Sequence, residues 1–143
     1  MTTIYRKLSP QELSQSMAIR IKVFVEEQNV PMEEEKDGYD DIAQHFGIFL
    51  DNVMIGTGRL IISGDKGKLG RIAILKEFRG KGYGGKLIKT MITEGTKYGL
   101  TEFILGAQLQ AIDFYQKLGF EAEGEIFQDG GIPHRTMRLK MGN

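Results

Sequence analysis

The chain has 143 residues, 41% apolar and 27% charged, with 19 basic and 19 acidic side chains and no cysteine. That length suffices for one well-buried core. The apolar runs fall well short of the roughly 20 residues a membrane span needs, and the opening MTTIYRKLSP lacks the apolar segment of a secretory signal. The missing cysteines exclude disulfides, thiolate metal sites and a cysteine nucleophile.

In chain order, Thr3 to Lys7 reads as a first strand. Ser9-Pro10-Gln11-Glu12 then starts a helix, with Ser9 as N-cap, Pro10 at the first position and Glu12 reaching back. Leu13, Met17, Ile21, Phe24 and Val25 follow at helical spacing and predict its core face. Asn29-Val30-Pro31 ends it, and the acidic stretch through Asp41 reads as loop with one short turn. Ala43–Leu50 and Val53–Ile62 form a hairpin about Asp51-Asn52, and Ser63–Gly67 turns into a strand Leu69–Leu75. A second helix carries Leu87, Ile88, Met91, Ile92 and Tyr98 and closes at Gly99. A short buried strand Thr101–Leu105, a third helix from Leu109 to Leu118 and two strands, Glu121–Phe127 and Ile132–Met141, complete the chain. No linker or repeat is visible, so a single α+β domain over 1–143 is expected.

Charge is unevenly distributed. Glu26 to Asp41 holds eight acidic residues and one lysine, whereas Asp65 to Lys89 holds eight basic residues and two acidic ones. Each cluster taken alone reads as a solvated surface; together they suggest two ligand surfaces of opposite sign. Without an aromatic stacking series, the basic one does not read as a nucleic-acid site. Two histidines, His45 and His134, make a histidine zinc site an unfavoured reading. A cytoplasmic protein without metal or membrane partner, monomeric or homodimeric, is the expectation.

The segment Arg79-Gly80-Lys81-Gly82-Tyr83-Gly84-Gly85-Lys86 joins a strand to a helix, where bare N–H groups and the helix dipole attract phosphate. Gly80, Gly82 and Gly85 fit the dinucleotide pattern G-x-G-x-x-G, but the next strand ends in Gly106-Ala107-Gln108 without the acid that would hold a ribose. Gly80, Gly85 and Lys86 fit most of a P-loop, but Leu87 stands where magnesium needs a hydroxyl. Arg79, Gly82 and Gly84 satisfy a third pattern, R-x-x-G-x-G.

Gly70 to Gly84, GRIAILKEFRGKGYG, resembles the cofactor segment of the GNAT superfamily of N-acetyltransferases. Gln108 to Phe120, QLQAIDFYQKLGF, resembles that superfamily's N-x-x-A-x-x-F-Y-x-K-x-G-F pattern, with Gln108 in place of the usual Asn. Arg20-x-x-x-Phe24-x-x-Glu27-Gln28-x-x-Pro31, Asp37-x-x-Asp40-x-x-Ala43-x-His45 and Gly131-Ile132-Pro133-His134 are similar to its ElaA-like branch. The resemblance implies a mixed, mostly antiparallel sheet of about seven strands flanked by three to four helices, with two strands splayed at the cofactor site. It implies acetyl-CoA as co-substrate and an amine as acceptor. Pantetheine would lie along Ile72, Ala73 and Ile74, and the pyrophosphate on Arg79, Gly80, Lys81, Gly82, Tyr83, Gly84 and Gly85. Gln108 and Tyr115 complete the implied cofactor contacts.

Within that implication, the Ile74 N–H is the expected donor to the thioester oxygen and Tyr115 the general acid at sulfur. Lacking cysteine, the chain favours direct attack of the amine over an acyl-enzyme. Glu27, His45 and His134 are candidate groups on the acceptor side, with a water relay as the alternative base. The acidic loop Glu33–Asp41 suggests a cationic acceptor. A CoA-binding sensor without turnover is the competing reading, which retention of Tyr115 disfavours.

Overall fold

The computed structural model describes residues 1–142; Asn143 lies outside the described residues. Seven strands are present among these: β1 (Thr3–Lys7), β2 (Gln44–Leu50), β3 (Val53–Ser63), β4 (Lys66–Ile74), β5 (Glu102–Gln108), β6 (Glu121–Asp129) and β7 (Ile132–Lys140). They form one sheet in the order β1-β2-β3-β4-β5-β7-β6. All neighbours are antiparallel except β4 and β5. The helices are α1 (Leu13–Arg20), α2 (Met32–Glu35), α3 (Tyr83–Lys97) and α4 (Ile112–Lys117).

Local sequence explains most boundaries. Glu12 accepts the Ser9 N–H at 2.9 Å and is gripped by Arg6, closing the turn Pro10–Glu12 that leads into α1. The Arg6 hydrogen bond, with the Ser9 backbone, pulls the Glu12 carboxyl down to about 2. The β2–β3 turn is made by Asp51 and Asn52, both at positive φ (48° and 71°), a conformation these residue types tolerate. α3 lays Leu87, Ile88, Met91 and Gly95 against one face of the sheet, over Phe46, Ile48, Leu60, Leu69, Phe103 and Met137. α1 covers the other face beside β1–β4, where Ile19 and Val23 meet Leu8, Phe49, Met54 and Ala73.

Two regions differ from the sequence reading. The buried face of the first helix is Ser16, Ile19, Arg20 and Val23, while Leu13, Met17, Ile21, Phe24 and Val25 are only half-buried. Ser16 is interior because its hydroxyl bonds Thr57 Oγ1 at 2.5 Å, and Thr57 in turn donates to the Phe46 carbonyl. From Ile21 to Glu27 the helix widens to π geometry, and Phe24 packs only at the edge of the cluster that Ile19 and Val23 enter. The acidic stretch is a mostly exposed loop with one helical turn, α2, as expected, but it is not wholly solvated: its Glu35 is 1% exposed.

Candidate active site

β4 and β5 pair only over Lys66–Lys68 against Glu102–Ile104. Beyond these residues β4 runs on to Ile74 and β5 to Gln108 without pairing. Each stays with its other neighbour: β5 pairs with β7 from Glu102↔Lys140 to Gln108↔His134, and β4 stays on β3. A β-bulge makes this possible. Thr57 faces Ala73 and Arg59 faces Gly70, so Gly58 stands opposite both Arg71 and Ile72. Arg71 carries the strain at φ 50°, and the added twist turns β4 away from β5.

The bulge also decides which main-chain groups face the gap. The Leu75 N–H bonds the Ile55 carbonyl at 2.9 Å, so by antiparallel alternation Ala73 points its polar groups at Thr57, whereas Ile72 and Ile74 turn theirs away from β3. The Ile74 carbonyl is taken by Arg79 Nε at 2.8 Å. Its N–H faces the gap.

The loop after β4 leads straight into the N-terminus of α3. Gly80 and Gly82 adopt φ 77° and 87°, Gly82 is the N-cap of α3, and a Cβ at either would meet nothing within 4 Å. Lys81 and Lys86 are exposed, and no side chain caps the helix. The Tyr83 ring packs on the core, leaving its backbone to the loop. A Cβ added at Gly84 would come within 3.7 Å of Phe114 and 3.9 Å of Ile74, and one at Gly85 within 4.0 Å of Phe114, so loop, strand end and α4 meet.

A cavity of about 570 Å³ extends from this gap across the sheet face left bare by α1. Its floor includes Gly70, Ile104 and Gly106; Ile72, Gln108, Tyr115 and His134 line it together. Tyr115 is wedged edge-on between Phe114 (5.0 Å) and Phe120 (6.0 Å), and burial pushes its phenol up to about 12. Gln108 donates to Gln28 Oε1 at 3.0 Å and accepts from Gln110 at 2.5 Å, which ties the first helix to the end of β5. Glu27 and His45 do not line the cavity. Glu27 holds Arg79 at 2.9 Å, and His45 bonds the Asp40 carbonyl at 3.0 Å.

The far wall is an ion-pair cluster that the sequence reading missed. Arg20 Nη2 meets Glu35 at 3.0 Å and its Nη1 meets Asp40 at 2.8 Å; Arg59 meets Asp37 and Asp40; Arg71 meets Glu35 at 2.9 Å and Asp37 at 3.0 Å. Three guanidinium groups thus balance three carboxylates. Burial raises the Asp37 carboxyl, but the Arg59 hydrogen bond, the Tyr39 N–H and the charges of Arg59 and Arg71 outweigh it and bring the group to about 2. Asp40 is likewise lowered: burial raises it, and Arg20 and Arg59 outweigh the burial. The signal available in sequence was the placement of Arg59 and Arg71 inside otherwise apolar strands, where a charge rarely sits unpaired.

The architecture of splayed strands and glycine loop agrees with the comparisons. Residues 5–141 match the family model for the acetyltransferase (GNAT) domain. The chain is 39% identical over 128 residues to the uncharacterized N-acetyltransferase YjcF of Bacillus subtilis, covering 89% of this chain and 91% of that one. It is 31% identical over 140 residues to protein ElaA of Escherichia coli, covering 93% and 90%. The crystal structure of E. coli ElaA superposes with a TM-score of 0.86 at 26% identity, over 97% of this chain and 100% of that one. PaiA N-acetyltransferase of Thermoplasma acidophilum, solved in complex with coenzyme A, shares the fold with a TM-score of 0.76 at 24% identity over 98% and 99% of the two chains. The chain belongs to the GNAT acetyltransferase family.

Proposed function

We propose that this protein transfers an acetyl group from acetyl-CoA to an amine by direct attack of the amine on the thioester. The observation that carries the reading is the unpaired stretch between β4 and β5, into which the main chains of Ile72 and Ile74 turn. An extended amide-bearing arm fits there as an added strand. At one end, the open, positive-φ glycines of the α3 N-terminus suit a pyrophosphate. PaiA, of the same fold, binds coenzyme A.

When bound, acetyl-CoA supplies an activated acyl carbon and a thiolate leaving group. This chain's residues orient and polarise it. The Ile74 N–H would donate to the carbonyl oxygen. The Tyr115 hydroxyl, on the cavity wall, would serve the sulfur. A phenol at about 12 is a weaker acid than a thiol, whose ordinary value is about 8.5. Tyr115 therefore acts by donating a hydrogen bond to charge growing on sulfur rather than by losing its proton outright. That function needs a phenol kept protonated, which burial ensures.

The acceptor side is close to electrically neutral, because Glu35, Asp37 and Asp40 are spent on arginines. Between these paired charges the cavity offers Ile61, Ile104, Phe127 and Ile132. An amine on a compact apolar body suits it better than a polycation. Calorimetry with CoA, NAD and Mg-ATP, followed by an amine screen for acetyl-CoA-dependent thiol release, tests the reading. Tighter binding of NAD or Mg-ATP than of CoA would refute it.

A further inference from the structure

Amine acylation needs a group that takes a proton from nitrogen, and three side chains of suitable chemistry lie at or near the cavity. Their hydrogen bonds separate them. Glu27 Oε2 is 2.9 Å from Arg79 Nη1, so its carboxylate is committed to a cation and lies off the cavity. His45 places Nε2 at 3.0 Å from the Asp40 carbonyl. A carbonyl can only accept, so Nε2 carries the hydrogen, and the lone pair is on Nδ1, which is buried without a partner. His45 has no basic nitrogen that a ligand can reach.

His134 is the opposite case. Its Nδ1 is 2.6 Å from the Ile132 carbonyl, so Nδ1 carries the hydrogen and Nε2 holds the lone pair. The residue is only 8% exposed, yet Nε2 is not among the sealed, unpartnered atoms, and no hydrogen bond engages it among the described residues. The ring stacks on Phe127 at 5.8 Å and 25°, and its residue pairs with Gln108 at the open end of β5. It lines the same cavity as Tyr115. Ring, tautomer and outlook are all fixed before any ligand arrives.

We infer that His134 is a catalytic residue whose Nε2 accepts the proton released by the acceptor amine; this rests on the acetyl-transfer reading above. The amine nitrogen bonds the acyl carbon as the carbon–sulfur bond breaks, with its electron pair passing to sulfur. The nitrogen's surplus proton passes to Nε2, and the thiolate takes a proton from water while hydrogen-bonded to Tyr115. The imidazolium then returns its proton to solvent. The other titratable groups facing the cavity do not compete. Tyr115 stays protonated, and Lys68, Glu34 and Asp129 are exposed side chains, whereas the His134 ring is buried and fixed. The remaining charges there belong to the balanced Arg59–Arg71 cluster. Imidazole is the side chain whose titration falls near neutrality.

His134→Asn tests this. The asparagine amide can keep the hydrogen bond to the Ile132 carbonyl but offers no basic nitrogen. Thermal unfolding and CoA calorimetry should match the parent. The rate constant kcat/KM for the amine should fall roughly 10²-fold, and the parent's loss of rate on the acid side should disappear. Independently of turnover, long-range nitrogen–proton correlation spectra of the ligand-free protein should show His134 protonated on Nδ1 with a bare Nε2. An Nε2–H tautomer would overturn the inference, as would His134→Asn acetylating at the parental rate with the parental pH profile. If the parent binds no CoA, the acetyl-transfer reading itself falls, and this inference with it.

Discussion

Glu35→Gln removes the central carboxylate of the ion-pair cluster while keeping its shape. Glu35 and Arg20 are each 1% exposed, and Glu35 Oε2 also takes Arg71 Nε at 2.9 Å. Breaking a buried pair from one side typically costs 3–5 kcal/mol, because the partner is left charged and uncompensated. Two arginines lose a partner here, but Asp40 still holds Arg20 and Asp37 still holds Arg71. The lower end, about 3 kcal/mol, is therefore expected. That is a large share of a typical domain's stability, and for a chain of this size it lowers Tm by about 10 °C. Urea unfolding followed by two probes, with m unchanged, is the assay. Combining Glu35→Gln with Arg71→Met should be less harmful than the sum of the two, by about 1 kcal/mol or more. A loss below about 1 kcal/mol for Glu35→Gln would show that water screens the cluster and that it is not the interior anchor of α2.

Other outcomes follow from the same geometry. Tyr115→Phe keeps the ring packing, so stability and acetyl-CoA affinity should stay near parental while kcat falls by roughly 10²-fold; parental transfer across the pH range would make Tyr115 a packing residue only. Gly82→Val introduces a β-branched side chain at φ 87°, costing about 1–2 kcal/mol and obstructing the phosphate approach. The fold should survive and CoA binding should be lost in a fluorescence titration. Because the Asp37 carboxyl is held at about 2 in the folded chain, against about 3.9 unfolded, its contribution is present above about pH 4 and lost as pH falls toward 2. Acid unfolding should therefore shift to higher pH in Arg59→Met, measured by circular dichroism, and an unshifted midpoint would contradict the pairing.

Much of the fold was legible because it is locally encoded. Asp51-Asn52 suits a positive-φ hairpin turn, Ser9-Pro10 opens the first helix, and Gly99 and Gly119 sit at φ 86° and 101° just past α3 and α4. The glycine loop was legible for the same reason. What escaped depends on partners distant in sequence. Ser16 finds Thr57 forty-one residues away, and Arg71 finds Glu35 thirty-six residues away, so apolar periodicity assigned neither Ser16 nor Glu35 to the interior. The bulge has no local mark, because an arginine rather than a glycine holds its positive φ. Glu27, His45 and His134 stood level as candidates, since only their hydrogen bonds show which nitrogen, if any, is free.

The bulge at Arg71 also determines where the chain can tolerate a change in length. Deleting one residue there would leave Ala73 opposite Thr57 and Ile74 opposite Gly56, but it would remove the extra residue and with it the added twist that turns β4 away from β5. Ala73 would stay packed beneath α1, but β4 would run on beside β5 and the gap between them would narrow. Insertions at the Asp51-Asn52 or Gly64-Asp65 turns leave that twist untouched. Descendants of this sequence should therefore vary in length at those hairpin tips and hold the span from Gly70 to Ile74 to a fixed count, whatever side chains it carries.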